Sequence, residues 1–404
     1  MRTLIITLPP YGGGVPAKAE WLCKALRARG HDLTVAYYAT FGHDADLNAP
    51  SWTLWSGRRP GLRTGRCFDG LRSVAVGCWL PELEFSYYRP SLRWSELITS
   101  HDRHIAVGGN PLISYPLAVR GIPHLVWCAS NSDGDRAARV RAAPCARRTF
   151  DRLFVAPRLR AMEKRILSGP GSIYGVSRYT KRALLPRAAA SVENDPSTTH
   201  PIGYLPIPVD SVSLTPPQTP PRAGVIGFAG RLNDPRKNFL GLVAAIAVAR
   251  SRGFDFRLIA AGAPPTDSLR AAVHAKGLTD RVEFVGDVDR ARLGAVYRQF
   301  DVFAISSHEE GFCIAGIEAM SCGVPVVSTR CGGPEDYVRP GETGALVGSS
   351  PDEMAAGLAA VVGDRRLRAR LSEGARAVAE REYSPAMFQA KLEGAWQSVW
   401  SDGP

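Results

Sequence analysis

Two periodicities alternate along this chain. Residues 4–8 form a short apolar run, residues 9–16 a turn of proline and glycine, and Ala19, Leu22, Cys23 and Leu26 then recur at helical spacing as far as Gly30. A second apolar run covers residues 33–37, so the chain opens as strand, loop, helix, strand, the alternation of a parallel sheet with helices on its faces. Residues 39–105 are rich in Pro, Arg and Trp, follow neither period, and predict no element. Past residue 222 the alternation resumes. Strands are predicted at 225–229, 256–261, 282–285, 302–305 and 324–328, with helices at 239–252, 268–276, 290–300 and 314–321 between them. Three helical stretches close the chain, the last opening on Ser384-Pro385, a capping residue followed by proline at the first helical position.

Between the two series, residues 198–222 hold seven prolines, a density that suits a linker better than a packed element. The chain therefore reads as an N-terminal domain over 1–205, a linker over 206–222, a second domain over 223–383, and a C-terminal helix over 384–404 expected to return to the first domain. A length of 404 residues suits two domains.

Composition narrows the class. With 45% hydrophobic and 22% charged residues the chain is neither disordered nor collagenous, and no run approaches the roughly 20 apolar residues of a membrane helix. The first residues lack the length and cleavage site of a signal peptide, which makes a cytoplasmic protein the expectation. The eight cysteines form no CxxC pair and have no histidine at metal-ligand spacing, so they are expected to be buried thiols.

The net charge of +12 is unevenly placed. Residues 1–210 carry 28 Lys and Arg against 16 Asp and Glu, whereas residues 211–404 carry 22 of each. Only seven of the 50 basic residues are lysines, so a lysine at a motif position carries extra weight. The densest basic stretch runs from Arg136 to Arg165, with Phe150, Leu153, Phe154 and Leu159 interleaved. Two readings stand: a solvated arginine-rich helix, or an amphipathic surface that lies on acidic lipid headgroups. No nucleic-acid-binding motif accompanies the charge. Trp52, Trp55, Trp79 and Trp94 fall in the same half and are expected to be core, with stacking on a sugar or lipid as the alternative.

Parallel sheets bind ligands at the carboxyl ends of their strands, so chemistry is sought just after each strand. After 225–229, the segment Gly230-Arg231-Leu232-Asn233-Asp234-Pro235-Arg236-Lys237 delivers two cations six residues apart, suited to a diphosphate or, blandly, to a solvated loop. After 302–305, Glu310 closes a loop, Gly311 permits close backbone approach, and the next helix offers free amides. Glu318 lies eight residues on, two turns into an apolar helix, where a carboxylate needs a partner: a ligand hydroxyl such as those of ribose, or a neighbouring loop.

The spacing Glu310-x7-Glu318 with its Glu-Gly-Phe and Glu-Ala-Met surroundings, and Gly230-Arg231-Leu232 followed by Lys237, resemble the retaining, nucleotide-sugar-dependent glycosyltransferases of family 4. Val176-Ser177-Arg178-Tyr179-Thr180, Gly332-Gly333-Pro334-Glu335 and residues 341–347 match further landmarks in order, so the motif-specific part runs from about residue 174 to 347. The resemblance implies an α/β chain of GT-B fold, two Rossmann-like doubly wound domains facing each other across a cleft, the first of them on the acceptor side. It implies that Arg231 and Lys237 grip the donor diphosphate and offset charge on the leaving nucleotide. Glu318 would hold the ribose. Glu310 and the amides of Gly311, Phe312 and Cys313 would fix the transferred sugar, with Gly12, Gly13 and Gly14 near the donor phosphates or the acceptor. No cofactor or bound metal is implied, the donor being the nucleoside-diphosphate sugar. Retention is attributed in that family to a front-face displacement in which a donor phosphate oxygen takes the acceptor proton.

Two departures concern the acceptor side. Many relatives carry a histidine after a first-domain strand, where this chain reads Leu125-Val126-Trp127-Cys128-Ala129-Ser130, with His124 expected before the strand. The Asn-Gly-Val-Asp of many relatives is here Ile207-Pro208-Val209-Asp210. The sequence thus supports a transferase acting on an acceptor hydroxyl of a glycolipid, envelope polysaccharide or natural product, with an anionic or lipid-linked acceptor and peripheral contact with an anionic membrane suggested by the basic half. A sugar-nucleotide epimerase of the same fold, or a degenerate nucleotide-binding auxiliary protein, are the alternatives.

Overall fold

The structure is a computed structural model that describes residues 1–192, 202–218 and 224–401. The chain divides into two compact units, one of residues 1–206 with 389–404 and one of residues 207–388.

Unit 1 is built on an eight-stranded sheet whose strands are β1 (Arg2–Thr7), β2 (Asp32–Tyr38), β3 (Leu62–Cys67), β4 (Leu71–Val76), β5 (Arg103–Gly108), β6 (His124–Cys128), β7 (Gly171–Gly175) and β8 (Ile202–Tyr204). Their order is β3-β4-β2-β1-β5-β6-β7-β8. Among the described residues of this sheet, only the β3–β4 hairpin is antiparallel. The central strands are buried on both faces, which is why β1 and β2 read as continuous apolar runs. Leu4, Ile6, Ala36, Val74, Ala106 and Val126 pack against Trp94, Leu117, Leu159 and Ile166 in one cluster.

Unit 2 carries six parallel strands, β9 (Val225–Ala229), β10 (Arg257–Ala261), β11 (Val282–Gly286), β12 (Val302–Ile305), β13 (Val326–Thr329) and β14 (Gly344–Val347), ordered β11-β10-β9-β12-β13-β14. The chain steps outward from β9 to β11 and then returns to the other side of β9, so the loops after β9 and β12 part at the switch point where such sheets hold ligands. In unit 1 the same relation puts the switch between β1 and β5.

Several expectations are corrected. Residues 39–105, for which no element was predicted, hold the β3–β4 hairpin, three-residue and six-residue helical turns at Ala45–Leu47 and Ser51–Ser56, and the helix Leu92–Thr99. The linker predicted over 206–222 is packed at its start, where Pro206, Ile207, Pro208 and Val209 are buried, and just before it β8 pairs with β7. Its residues 219–222, like 198–201, lie outside the described residues. His124 opens β6 instead of preceding it, is fully buried, and bonds the Ile122 carbonyl at 2.6 Å through Nδ1. Among the cysteines, Cys145 is exposed and Cys67 and Cys313 are half-buried; the other five are buried. Trp94 is core, but Trp52, Trp55 and Trp79 are exposed. The closing helix spans Pro385–Gln397, and from residue 389 the chain belongs to unit 1, where Trp396 packs edge-on to His31 at 5.0 Å.

Candidate functional site

In unit 2 the loop after β9 folds into a short helical turn, Pro235–Lys237, capped by Asp234, whose Oδ1 accepts from the Arg236 amide at 3.0 Å. Proline at the first position fixes that turn. Asp234 also pairs with Arg231 at 2.8 Å and Arg236 at 3.0 Å. Burial opposes its charge, but the Arg236 contacts and the Arg231 charge hold its carboxyl below the usual range. Arg231 remains two-thirds exposed, free to swing to an anion at the cost of an exposed ion pair worth at most about 1 kcal/mol.

Lys237 is placed differently. Its ammonium lies 2.6 Å from Glu310 Oε1, with both side chains largely buried, and Ser307 Oγ donates to the same oxygen at 2.6 Å. Burial disfavours the charge on Lys237, yet the Cys313 sulfur and the Glu310 carboxylate hold its pKa above the ordinary lysine value. The pair spans the switch point, joining the loop after β9 to the loop after β12. Backbone bonds tie the same loops together: His308 N donates to Arg236 O at 2.8 Å and Ser306 Oγ to Lys237 O at 2.9 Å. Glu310 is itself anchored in its main chain, its N–H donating to Cys331 O at 2.8 Å and its carbonyl accepting from Gly333 N at 2.7 Å. A Cβ on Gly333 would lie 2.2 Å from the Gly311 carbonyl, so the Gly332-Gly333 pair is what lets this loop close over Glu310 and Gly311.

Beyond Gly311 the helix Ile314–Ser321 starts from Cys313 in the left-handed conformation, φ 62°, and Tyr337 Oη donates to the Cys313 carbonyl at 2.9 Å. Burial pushes the Cys313 thiol up to about 11, so it is held as a neutral thiol at pH 7. Phe312 turns its ring into a buried cluster with Tyr337 and Tyr383, at 5.5 and 5.6 Å, which leaves only its backbone to meet a ligand. Glu318 accepts from Tyr297 Oη at 2.8 Å through Oε2. Burial raises its pKa against the lowering pull of that bond and of Arg290. One hydrogen bond uses a quarter of a carboxylate's accepting capacity, so room for ligand hydroxyls remains. Tyr297, 21 residues away in sequence, was not foreseen; its only signal was a tyrosine inside a helix whose neighbours Phe300 and Phe303 are core.

In unit 1 the turn after β1 carries Gly12 and Gly13 at φ 111° and 97°, a conformation other residues rarely adopt, and the helix Gly14–Arg27 begins at once. The groups foreseen at this turn are present, but the most unusual side chain nearby was missed. Lys18, on the first turns of that helix, is 1% exposed and donates to the carbonyls of Gly108 at 2.7 Å and Trp127 at 3.0 Å, at the ends of β5 and β6. Burial pushes its pKa down to about 7, against upward pulls from Cys128 and Asp135. A neutral amine has two N–H donors, matching the two carbonyls, so loss of the proton leaves no bond unmade. Between about pH 7 and the ordinary lysine pKa the unfolded chain holds a proton that the folded chain has released, so stability rises with pH there. We expect urea unfolding at pH 6, 8 and 10 to show wild type gaining on Lys18→Met by up to about 1.4 kcal/mol per pH unit above pH 7. Parallel pH profiles for the two proteins would show Lys18 to be uncoupled from folding.

Among the described residues no group of three or more His, Cys, Asp or Glu is placed to hold a metal ion, and no helix is long and apolar enough to cross a membrane.

Residues 216–378 match the family model described as "Glycosyl transferases group 1". Over 183 residues the chain is 35% identical to a D-inositol 3-phosphate glycosyltransferase of Corynebacterium glutamicum, covering 43% of each protein, so it spans less than half the length of that curated relative. Two solved structures match along nearly all of both chains. A sucrose-phosphate synthase from Thermosynechococcus elongatus aligns with a TM-score of 0.72 at 18% identity, covering 99% of each chain. Anabaena HepE, solved in complex with UDP-glucose, aligns with a TM-score of 0.69 at 16% identity, covering 99% of this chain and 100% of that one. At such identities the likeness is one of architecture, and the architecture is that of the GT-B glycosyltransferases, with two parallel-sheet α/β units.

Proposed function

We propose that this protein is a retaining glycosyltransferase that moves a sugar from a nucleoside-diphosphate sugar to an acceptor hydroxyl. The observation that carries the reading is the convergence of Arg231, Lys237 and Glu310 on the switch point of the unit 2 sheet, with Glu318 on the adjoining helix. Arg231 would leave Asp234 for the diphosphate, and Lys237, already held charged, would meet the phosphate oxygen from which the sugar departs. Their charge would stabilise the electron pair left on that oxygen when the anomeric bond breaks, the kind of preorganised electrostatic term that dominates many enzymes. The acceptor oxygen would attack from the same face and pass its proton to that phosphate oxygen, so no protein nucleophile and no metal is required. Glu310 Oε1 is taken by Lys237 and Ser307, which leaves Oε2 for a sugar hydroxyl. The amides of Gly311, Phe312 and Cys313 would join it, and Gly12, Gly13 and Gly14 would admit phosphate or acceptor close to the backbone of unit 1. The relatives' names support glycosyl transfer, and the solved complexes of HepE with UDP and UDP-glucose support a nucleoside-diphosphate sugar as donor.

The test is thermal unfolding with UDP, GDP, ADP and dTDP in parallel, followed by transfer from the sugar forms of the stabilising nucleotide. A ligand at 100 times its Kd stabilises the native state by about 2.7 kcal/mol. One nucleotide is expected to raise the transition, and its sugar to be transferred with the anomeric configuration kept. No shift with any of the four, or donor conversion without an acceptor, would overturn the assignment.

A further inference from the structure

Two segments of unit 1 each expose several large apolar side chains, and hydrogen bonds to one glutamate reach both. The helical turn Ser51–Ser56 buries none of its residues, with Trp52 64%, Leu54 50% and Trp55 97% exposed. The helix Cys145–Phe150 likewise buries none, and the five-residue π-turn Asp151–Val155 that continues it exposes Leu153 at 60% and Phe154 at 48%, with Phe150 ring-to-ring against Phe154 at 5.2 Å. The tryptophan turn takes no part in the core that holds the sheet, and the second segment reaches it through Val155 at its end. The sequence-based reading of the second as amphipathic is corrected at Leu159, which is buried and packs inward.

Glu82 links the two. Its carboxylate accepts from Ser51 N at 2.7 Å and Ser51 Oγ at 2.9 Å, which starts the tryptophan turn, and its carbonyl accepts from Arg147 at 3.0 Å in the basic helix. The same segment places Phe85 under Arg158 at 5.5 Å, and exposed Trp79 bridges to Ala49. Phe41 packs edge-on to Trp52 at 5.9 Å. The result is one linked set of segments in which tryptophan, leucine and phenylalanine stand beside arginine.

The charges on that surface are of one sign outward. Glu84 and Asp151 are turned onto Arg136, and Glu82 onto Ser51. Arg141, Arg148 and Arg152 are exposed, and among the described residues none has a carboxylate in ion-pair reach. All of these segments leave the carboxyl edge of the unit 1 sheet, following β2, β4 and β6, the edge from which Gly12–Gly14 follow β1. Exposed tryptophan and leucine ringed by unpaired arginine is the combination that inserts among acyl chains while cations meet headgroup phosphates. A nucleic acid would use the cations but leave Leu54 and Leu153 without a role.

We propose that unit 1 docks on an anionic phospholipid bilayer through Trp52, Leu54, Trp55, Leu153, Phe154 and the arginines around them. This surface stands apart from the donor-site reading and holds whether or not that reading does. The experiment is co-sedimentation of the full chain with vesicles of phosphatidylcholine alone, or of phosphatidylcholine with phosphatidylglycerol. Binding is expected to the anionic vesicles, to be weaker by at least about tenfold to the neutral ones, and to weaken with salt. Two variants, Trp55→Ser with Leu153→Ser, and Arg148→Glu with Arg152→Glu, are each expected to reduce it about tenfold or more while leaving thermal unfolding and nucleotide stabilisation unchanged. Absent binding, equal binding to both vesicle types, or binding that neither variant reduces would overturn the proposal. So would a concentration-dependent dimer abolished by Trp55→Ser with Leu153→Ser, which would assign the surface to a second copy of the chain. Should the apolar variant fail to fold, vesicle binding by the arginine variant decides the proposal, and sedimentation of the wild type over a range of concentrations decides whether a dimer forms instead.

Discussion

Lys237→Ala is expected to lower the rate of sugar transfer by about 10²–10³-fold, the usual loss when one preorganised donor to developing charge is removed. The same change should destabilise the protein, because Glu310, held 2.6 Å from the lysine and largely buried, is left without its cation. Breaking a buried pair from one side costs about 3–5 kcal/mol, and the slight exposure of both side chains places the expectation near the lower end. Glu310→Ala should show the mirror image, since it strands Lys237. The two effects separate in the double variant Lys237→Met with Glu310→Gln. There no charge is stranded, so stability should recover well beyond the sum of the single losses, whereas transfer should stay at the level of the lysine variant. Urea unfolding and initial transfer rates on wild type, Lys237→Met, Glu310→Gln and the double variant form a double-mutant cycle. Additive stability losses would mean the pair is uncoupled, and near-normal transfer by Lys237→Ala would remove the lysine from the reaction.

The legibility of this site in the sequence has a physical cause. β9 and β12 are short parallel strands buried on both faces, so each appears as an uninterrupted apolar run and its C-terminal turn can be located to the residue. Arg231, Lys237, Glu310 and Glu318 were found because they sit at fixed offsets from those runs. What went unread is set by long-range packing. Lys18 lies among helix residues that give no hint of burial; only the ends of β5 and β6, some 90 and 109 residues away, make it a buried amine. β3 is almost wholly exposed and carries Leu62-Arg-Thr-Gly-Arg-Cys67, with no apolar face to reveal its period. Trp52 and Trp55 contradict the rule that large aromatics pack inward, and a departure of that kind marks a surface kept for something other than folding. The proline-rich stretch misled for a further reason: extended backbone tolerates proline, so Pro206 and Pro208 pack along with Leu205, Ile207 and Val209.

Glu318→Ala is expected to weaken binding of the preferred nucleotide by about 10–100-fold, since hydrogen bonds to a charged group contribute about 1.5–3 kcal/mol each. The expectation rests on where the carboxylate stands: half-buried, carried by a helix whose first turn adjoins Glu310, and satisfied by the single hydroxyl of Tyr297. Burial raises its pKa, so the free protein bears a cost for keeping it ionised at pH 7, a cost that would be offset on binding. The sign follows from linkage. With the folded pKa above the unfolded one, the folded state holds the extra proton, and stability falls as pH rises from the ordinary glutamate value through the folded one. Glu318→Gln removes that penalty and keeps an acceptor for Tyr297, so at pH 7 it should unfold at an equal or higher temperature than wild type. Its nucleotide response should nonetheless shrink. At a concentration of 100 times the wild-type Kd, a 30-fold loss of affinity lowers the stabilisation from about 2.7 to about 0.9 kcal/mol. A merely structural glutamate would behave in the opposite way, with Glu318→Gln less stable and its nucleotide affinity unchanged. Thermal unfolding of wild type, Glu318→Ala and Glu318→Gln, with and without the nucleotide, separates the two roles in a single series.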